Sequence, residues 1–262
     1  MRQSDNPDLG SLSDLEIATQ ACRKGADVAA GYFRHTAAIN KAQDGTYDPV
    51  TEGDKAAERA IRQVLEAGRP RDSILGEEFG HKDQNSPRCW TIDPIDGTRA
   101  FVAGAPTWGT LVGLKTGDDF TIGAACQPVA GDMFSGDNTQ AWLNGSKITT
   151  RESVDIAALR LATTDDDLID APFRSAFQAL KSKAAITRYG LDWYAYCLLA
   201  AGHLDVVFEC GLQVYDIAAL VPIVRGAGGV VTDVKGGHNI GPTVVAASCP
   251  QTHALVIAAL ET

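Results

Sequence analysis

Nine residues, Trp90-Thr91-Ile92-Asp93-Pro94-Ile95-Asp96-Gly97-Thr98, constrain this chain more than any other stretch. Trp90 to Ile92 have strand propensity and deliver Asp93, and Pro94, which carries no backbone N–H, is expected to stop that strand. Asp96 lies three residues on, so a turn can bring both carboxylates to one point. Gly97-Thr98 can open a helix, whose free amides and positive dipole end attract an anion. Carboxylates beside such a site would repel a phosphate unless a divalent cation lay between them. Mg2+, a hard cation that takes a few carboxylates together with phosphate oxygens, fits that combination. Asp-Pro and Asp-Gly are equally turn dipeptides, and two aspartates around a proline can merely cap a helix.

Other acids shift that balance. Gly76-Glu77-Glu78 follows the strand-like Ser73 to Leu75, so a carboxylate projects from a strand end. Asp54 begins a helix after Pro49-Val50-Thr51, where an N-terminal cap is the default role. Asp216 stands near the start of an otherwise apolar helix, where an isolated acid usually caps too. The whole chain is acidic, with 23 Lys+Arg against 33 Asp+Glu and a net charge of −10. That balance lacks the basic footprint of a nucleic-acid binder. No apolar run approaches the roughly 18–20 residues that span a bilayer, so no membrane partner is expected. The start, Met1 to Gly10, is polar and shows no signal-peptide core, so a cytoplasmic protein is expected. Six cysteines without a C-x-x-C pair read as small buried hydrophobes, and five histidines show no metal-ligand spacing.

A length of 262 residues suits one large domain or two packed halves. Ser13-Asp14-Leu15-Glu16 reads as a capping box that opens an amphipathic helix reaching about His35, and a second helix ends at Gly68. From Ser73 the pattern becomes short apolar runs between turns, including a hairpin around Gly117-Asp118-Asp119 and a meander from Met133 to Leu143. After Arg151 strands and helices alternate, with helices expected over Ala171–Lys181, Trp193–Ala201, Val214–Arg225 and Pro250–Leu260. The fold class is therefore α/β (α+β), with an α+β half over 1–150 and an α/β half over 151–262.

Three blocks together, Gly76-Glu77-Glu78, then Asp93-Pro94-Ile95-Asp96-Gly97-Thr98, then Tyr215-Asp216-Ile217-Ala218-Ala219 with Gly226-Ala227-Gly228-Gly229 downstream, resemble the signature set of the inositol monophosphatase superfamily in order and interval. The resemblance runs from about residue 13 to the C-terminus. It implies a layered α-β-α-β-α sandwich with the active site between its halves, and phosphate-monoester hydrolysis with two or three Mg2+ ions. It implies that Glu77, Asp93, Asp96, Asp216 and the Ile95 carbonyl bind those ions. Thr98 and Asp54 of Thr51-Glu52-Gly53-Asp54 would orient the attacking water, with Glu77 beside them in catalysis, and the Gly97 and Thr98 amides would hold phosphate. A homodimer is implied as well.

Within that superfamily, Arg99-Ala100-Phe101, Arg188-Tyr189-Gly190, Asp192 with Tyr194-Ala195-Tyr196, and Val206-Val207-Phe208-Glu209 look most like the histidinol-phosphate phosphatase branch. Histidinol phosphate carries an ammonium and an imidazole, so its pocket should present acids. Glu209 and Asp192 are the candidates, although Asp192 reads equally as a helix cap. Arg188 can reach phosphate or pair with a neighbouring carboxylate. The branch pattern is broken at Gln213-Val214, Trp193 and Arg225, and its N-terminal Lys is matched loosely by Lys41. An inositol-phosphate or broad sugar-phosphate phosphatase is the alternative, and a non-catalytic cation-binding scaffold a more distant one.

Overall fold

The computed structural model describes residues 9–35, 37, 39–40, 49–152 and 155–260, so Lys41 lies outside the described residues. Helix α1 (Asp14–Ala30) is followed by the two-residue strands β1 (Ile39–Asn40) and β2 (Pro49–Val50), then α2 (Glu52–Gly68). Next come β3 (Ser73–Gly76), β4 (Gly80–Lys82), β5 (Arg88–Asp96), α3 (Thr98–Ala103), β6 (Gly109–Thr116) and β7 (Asp119–Gln127). Strands β8 (Asp132–Gly136), β9 (Ala141–Leu143) and β10 (Ser146–Ile148) complete a first sheet. The remainder holds β11 (Arg160–Ala162), α4 (Ala171–Lys183), β12 (Ile186–Arg188), α5 (Trp193–Ala200) and β13 (Val206–Glu209). It closes with α6 (Val214–Ile217), α7 (Leu220–Gly226), β14 (Val230–Thr232), β15 (Val244–Ala247) and α8 (Pro250–Leu260).

Eight strands form the first sheet in the order β10-β9-β8-β7-β6-β5-β3-β4, and five form the second in the order β12-β11-β13-β15-β14. The layers follow from which faces are apolar. One face of the large sheet (Trp90, Ile92, Val112, Leu114, Ala124) meets Ile17, Ala21 and Cys22 of α1 and Ile61 and Leu65 of α2. Its other face (Leu111, Ala125, Phe134) packs with α5, α6 and α7, which also touch Val207, Val231 and Ala246 of the second sheet. The far face of that sheet (Leu161, Val206, Phe208, Val245) is covered by Phe177 and Leu180 of α4 and Val256 and Leu260 of α8. The result is the α-β-α-β-α sandwich. No helix among the described residues is long and apolar enough to cross a membrane.

Several elements depart from the sequence reading. Helix α1 opens on the expected capping box, with the Ser13 amide donating to Glu16 Oε2 at 2.8 Å, but it ends at Ala30. The turn beyond it is pinned by Arg34, which has a left-handed φ of 63° and donates both Nε and Nη2 to the Gly104 carbonyl. The helix expected over Val214–Arg225 is two helices broken at Ala218-Ala219, because Pro222 has no N–H to give the Ala218 carbonyl. Strand β15, central in the second sheet, was not expected; Val244 to Ala247 are all buried, so they show no alternation. Strands β4 and β12 were missed as well, each only three residues long. Of the cysteines, Cys22, Cys126, Cys197 and Cys210 are buried as expected, whereas Cys89 and Cys249 are half-exposed.

The break between α6 and α7 rests directly on the large sheet. A Cβ on Gly113 would meet the Ala218 carbonyl carbon and the Ala219 nitrogen at 2.8 Å, and one on Gly123 would overlap the Ala219 carbonyl. Glycine on β6 and β7 thus lets a helix backbone approach a sheet backbone, and that approach sets the depth of Asp216. Gly123→Ala is expected to lower unfolding free energy by about 1–3 kcal/mol or more through overpacking, measured by urea melts. An unchanged midpoint would show that the seat is loose.

Candidate active site

Strand periodicity should separate Asp93 from Asp96, since residues three apart point to opposite faces. The structure removes that conflict with a bulge. Asp93 pairs with Leu111 and Asp96 with Gly109, so the register of β5 against β6 slips by one residue between them. Pro94 therefore does not stop the strand; it occupies the irregular step, where a missing N–H breaks no ladder bond. Its carbonyl accepts from Thr110 Oγ1 at 2.8 Å, and Asp93 Oδ1 accepts the Ile95 amide at 3.1 Å. Gly97 follows at φ 81° and starts α3. A Cβ there would come within 2.9 Å of Asp192 Oδ2, so space and dihedral both demand glycine.

The other acids arrive as helix caps. Asp54 Oδ2 accepts the Thr51 amide at 2.7 Å and the Thr51 hydroxyl at 2.6 Å, closing a capping box on α2. Asp216 Oδ2 accepts the Gln213 amide at 2.7 Å at the start of α6. Each is the cap read from the sequence; Asp216 also belongs to the acid cluster, and Asp54 adds to the field at Asp93. Asp93, Asp96 and Asp216 place carboxylate oxygens within 4.8 Å of one another, a hard-oxygen donor set that suits a divalent cation. Glu77 lines the same cavity but is not part of that tight group.

A residue absent from the sequence reading fixes Glu77. Glu58, fully buried on α2, accepts the Glu78 amide at 2.7 Å and the Phe79 amide at 3.3 Å, and pairs with Arg62 at 2.8 Å. Gly76 leaves room for this carboxylate, since a Cβ there would overlap Glu58. The signal was available as spacing: Glu58 follows Asp54 by four residues, so both acids share one helix face.

Electrostatics confirm the crowding. Burial pushes the Asp93 carboxyl well above the usual range, and Glu77, Asp96, Asp216 and Asp54 each push it further. Asp96 is raised in the same way by burial and then by Asp216, Asp192 and Glu77, against a hydrogen bond from the Trp193 backbone. Asp54 is raised by burial, which outweighs its bonds to Thr51.

Glu77, Asp93, Asp96 and Asp216 line a cavity of ≈ 340 Å³ with Ile95, Gly97, Thr98, Thr164, Leu168, Trp193, Tyr196 and Leu212, whereas Asp54 does not line it. Glu209 and Asp192 line it as well, with Asp192 beside Gly97. Thr164 donates its amide at 2.7 Å and its hydroxyl at 3.0 Å to Glu209 Oε1, yet burial still lifts Glu209 to about 8, with Asp192 adding to the rise. Asp192 has φ 49° and ψ −132°, a strained conformation of the kind found at functional sites. Burial raises its carboxyl, while Thr164 and Arg99 oppose the rise. Arg188 is exposed on the edge strand β12 and does not line the cavity, so the sequence reading misplaced it. Thr98 lines the cavity, but its hydroxyl donates to the Ile95 carbonyl at 2.9 Å, three residues back, rather than to Asp54. Trp193, packed over Gly109, donates its indole N–H to the Thr107 carbonyl at 3.1 Å, and Arg225 pairs with Asp119 at 3.2 Å.

Two outcomes follow from this crowding. Unfolded carboxylates ionise near pH 4, whereas Asp93, Asp96 and Asp54 hold their protons to higher pH when folded. Stability of the cation-free protein should therefore fall as pH rises above about 4, until the folded groups ionise in turn. Melting temperatures between pH 5 and 8 should show that slope, and saturating divalent cation should flatten it; a flat cation-free profile would contradict the cluster. Glu58→Gln should weaken divalent-cation binding several-fold in a calorimetric titration by loosening the Glu77 turn, and cost about 1–3 kcal/mol of stability. Unaltered cation affinity would free Glu77 from this anchor.

Comparison with known proteins agrees with the site. The model of the inositol monophosphatase family matches residues 12–262. The chain is 36% identical to the bifunctional phosphatase IMPL2, chloroplastic, of Arabidopsis thaliana, over 88% of this chain and 69% of that protein. It is 32% identical to a histidinol-phosphatase of Chlorobaculum parvum, over 87% of this chain and 88% of the relative. An inositol monophosphatase from Zymomonas mobilis superposes with a TM-score of 0.83 at 35% identity, covering 95% of this chain and 98% of its own. With the acid cluster, the layered fold and a family match over nearly its whole length, the chain belongs to the inositol monophosphatase family and is a phosphoric monoester hydrolase.

Proposed function

We propose that the chain is a Mg2+-dependent histidinol-phosphate phosphatase. The observation that carries the choice of ester is a second pair of acids in the cavity, Glu209 and Asp192, outside the tight cluster. Glu209 is 3% exposed, stands at about 8, and has Asp192 as a second acid across Thr164. A neutral polyol would meet these acids only as a hydroxyl donor, whereas an ammonium or imidazolium would also restore the ionised form of Glu209. The 32% identity to a histidinol-phosphatase supports the same reading. The Zymomonas relative's description as an inositol monophosphatase favours the neutral ester as the alternative.

In this reading Asp93, Asp96, Asp216, Glu77 and the Ile95 carbonyl hold Mg2+ at one end of the cavity. The ions, when bound, supply charge neutralisation and an acidified water. The amides of Gly97 and Thr98 take phosphate oxygens, and Thr98 and Asp54 orient the attacking water. Thr98 must then turn its hydroxyl from the Ile95 carbonyl it now meets at 2.9 Å. The water oxygen forms a bond to phosphorus as the bond to the alcohol oxygen breaks in line. Asp192, beside Gly97 and strained in its backbone, stands next to the amides that take the phosphate.

Glu209→Gln should raise KM for histidinol phosphate about tenfold or more and leave an inositol phosphate within about twofold. Because the wild-type carboxyl stands at about 8, its affinity for the cationic ester should tighten as pH rises from about 6.5 through 8, and the variant should lose that dependence. Side-by-side kinetics decide: wild-type preference for the inositol ester would overturn the histidinol-phosphate reading.

A further inference from the structure

A buried hydroxyl on the cavity wall has no partner among the described residues. Tyr196 of α5 is 2% exposed and lines the cavity, yet its hydroxyl makes no hydrogen bond there. Tyr194, two residues earlier, differs: its hydroxyl donates to Asp132 Oδ2 at 2.5 Å. A phenol buried without a hydrogen bond opposes folding, so an unmade bond kept on a reactive wall points to an acceptor that arrives with a ligand.

The place of the hydroxyl identifies that acceptor. A phenol keeps its proton at neutral pH, so the hydroxyl acts as a donor. Asp96, Asp216 and Glu209, from β5, α6 and β13, line the same cavity as Tyr196. Asp96 and Asp216 belong to the tight carboxylate cluster, where the proposed function puts the phosphate, and Glu209 stands outside it, where that reading puts the alcohol. Glu209 Oε1 is already occupied by two bonds from Thr164. A donor that shares the cavity with both groups can meet a phosphate monoester at its linkage, the oxygen joining phosphorus to the alcohol.

We propose that Tyr196 is a catalytic residue whose hydroxyl donates a hydrogen bond to the ester oxygen as that oxygen becomes the leaving alkoxide. The water oxygen bonds to phosphorus, the phosphorus–ester bond breaks, and its electron pair stays on the alcohol oxygen. The proton that converts this alkoxide to the alcohol is the one the water gives up. Tyr196 keeps its own proton and spreads the developing charge. The inference rests on the hydrolase activity and is independent of which alcohol is released.

The test is the leaving-group dependence of Tyr196→Phe, a change of one oxygen. On the alkyl phosphate that the wild type hydrolyses fastest, kcat should fall about tenfold or more, with KM nearly constant. On p-nitrophenyl phosphate, whose leaving oxygen needs little help, kcat should stay within about twofold. The thermal midpoint should be unchanged or higher, because the lost oxygen had no partner. Equal losses on both esters, or no loss on the alkyl ester, would overturn the proposal. So would a variant that fails to fold, since that would give the hydroxyl a structural bond. A wild type that prefers a neutral ester over histidinol phosphate leaves this comparison intact and rejects only the cationic substrate.

Discussion

Like charges dominate this molecule's central cavity. Asp93, Asp96 and Asp216 bring carboxylate oxygens within 4.8 Å of one another, and Glu77 and Asp54 add to the field at Asp93. In water such groups would move apart; here burial removes the screening and backbone geometry removes the freedom. Each acid is held by something local that is stable without the cluster. A bulge turns Asp96 to the face of Asp93, a glycine seat on β6 and β7 sets the depth of α6, and Glu58 ties down the turn carrying Glu77. A metal ion held among these carboxylates would reverse the sign of that repulsion. Folding energy from the apolar layers holds the acids together until that charge is supplied.

Two of these acids are helix caps, and the coincidence has a physical basis. A carboxylate at the third position of a helix meets the positive end of the dipole and bonds the cap residue's amide, as Asp54 does with Thr51 and Asp216 with Gln213. That bond fixes the side-chain rotamer and occupies one oxygen. At Asp216 the cap thus orients a carboxylate of the cluster, so one residue can be both a cap and a cluster acid.

Much of the fold was legible because it obeys local rules. The capping box at Ser13, the helical periodicity of α1 and α2, and the hairpin at Gly117-Asp118-Asp119 are each written within a few residues. The layered order followed from the family resemblance. What stayed hidden depends on partners distant in sequence. A one-residue slip between β5 and β6 cannot be read from β5 alone, so Pro94 looked like a stop. Strand β15 is a fully buried run without alternation, and short apolar runs carry no period. Arg188 was read as able to reach phosphate or pair with a carboxylate, and its exposed place on an edge strand cannot be read from the local sequence. Glu58 was missed because its partners, the amides of Glu78 and Phe79, lie about twenty residues away.

The cavity uses one residue type in two arrangements. Asp93, Asp96 and Asp216 crowd into a set that could hold a metal ion. Glu209 stands outside that set, with Asp192 as its acidic neighbour and a donor pair from Thr164, and burial lifts it to about 8. A group poised there ionises more readily when a cation touches it. Spacing keeps the arrangements apart: were Glu209 among Asp96 and Asp216, it would compete for the same metal charge.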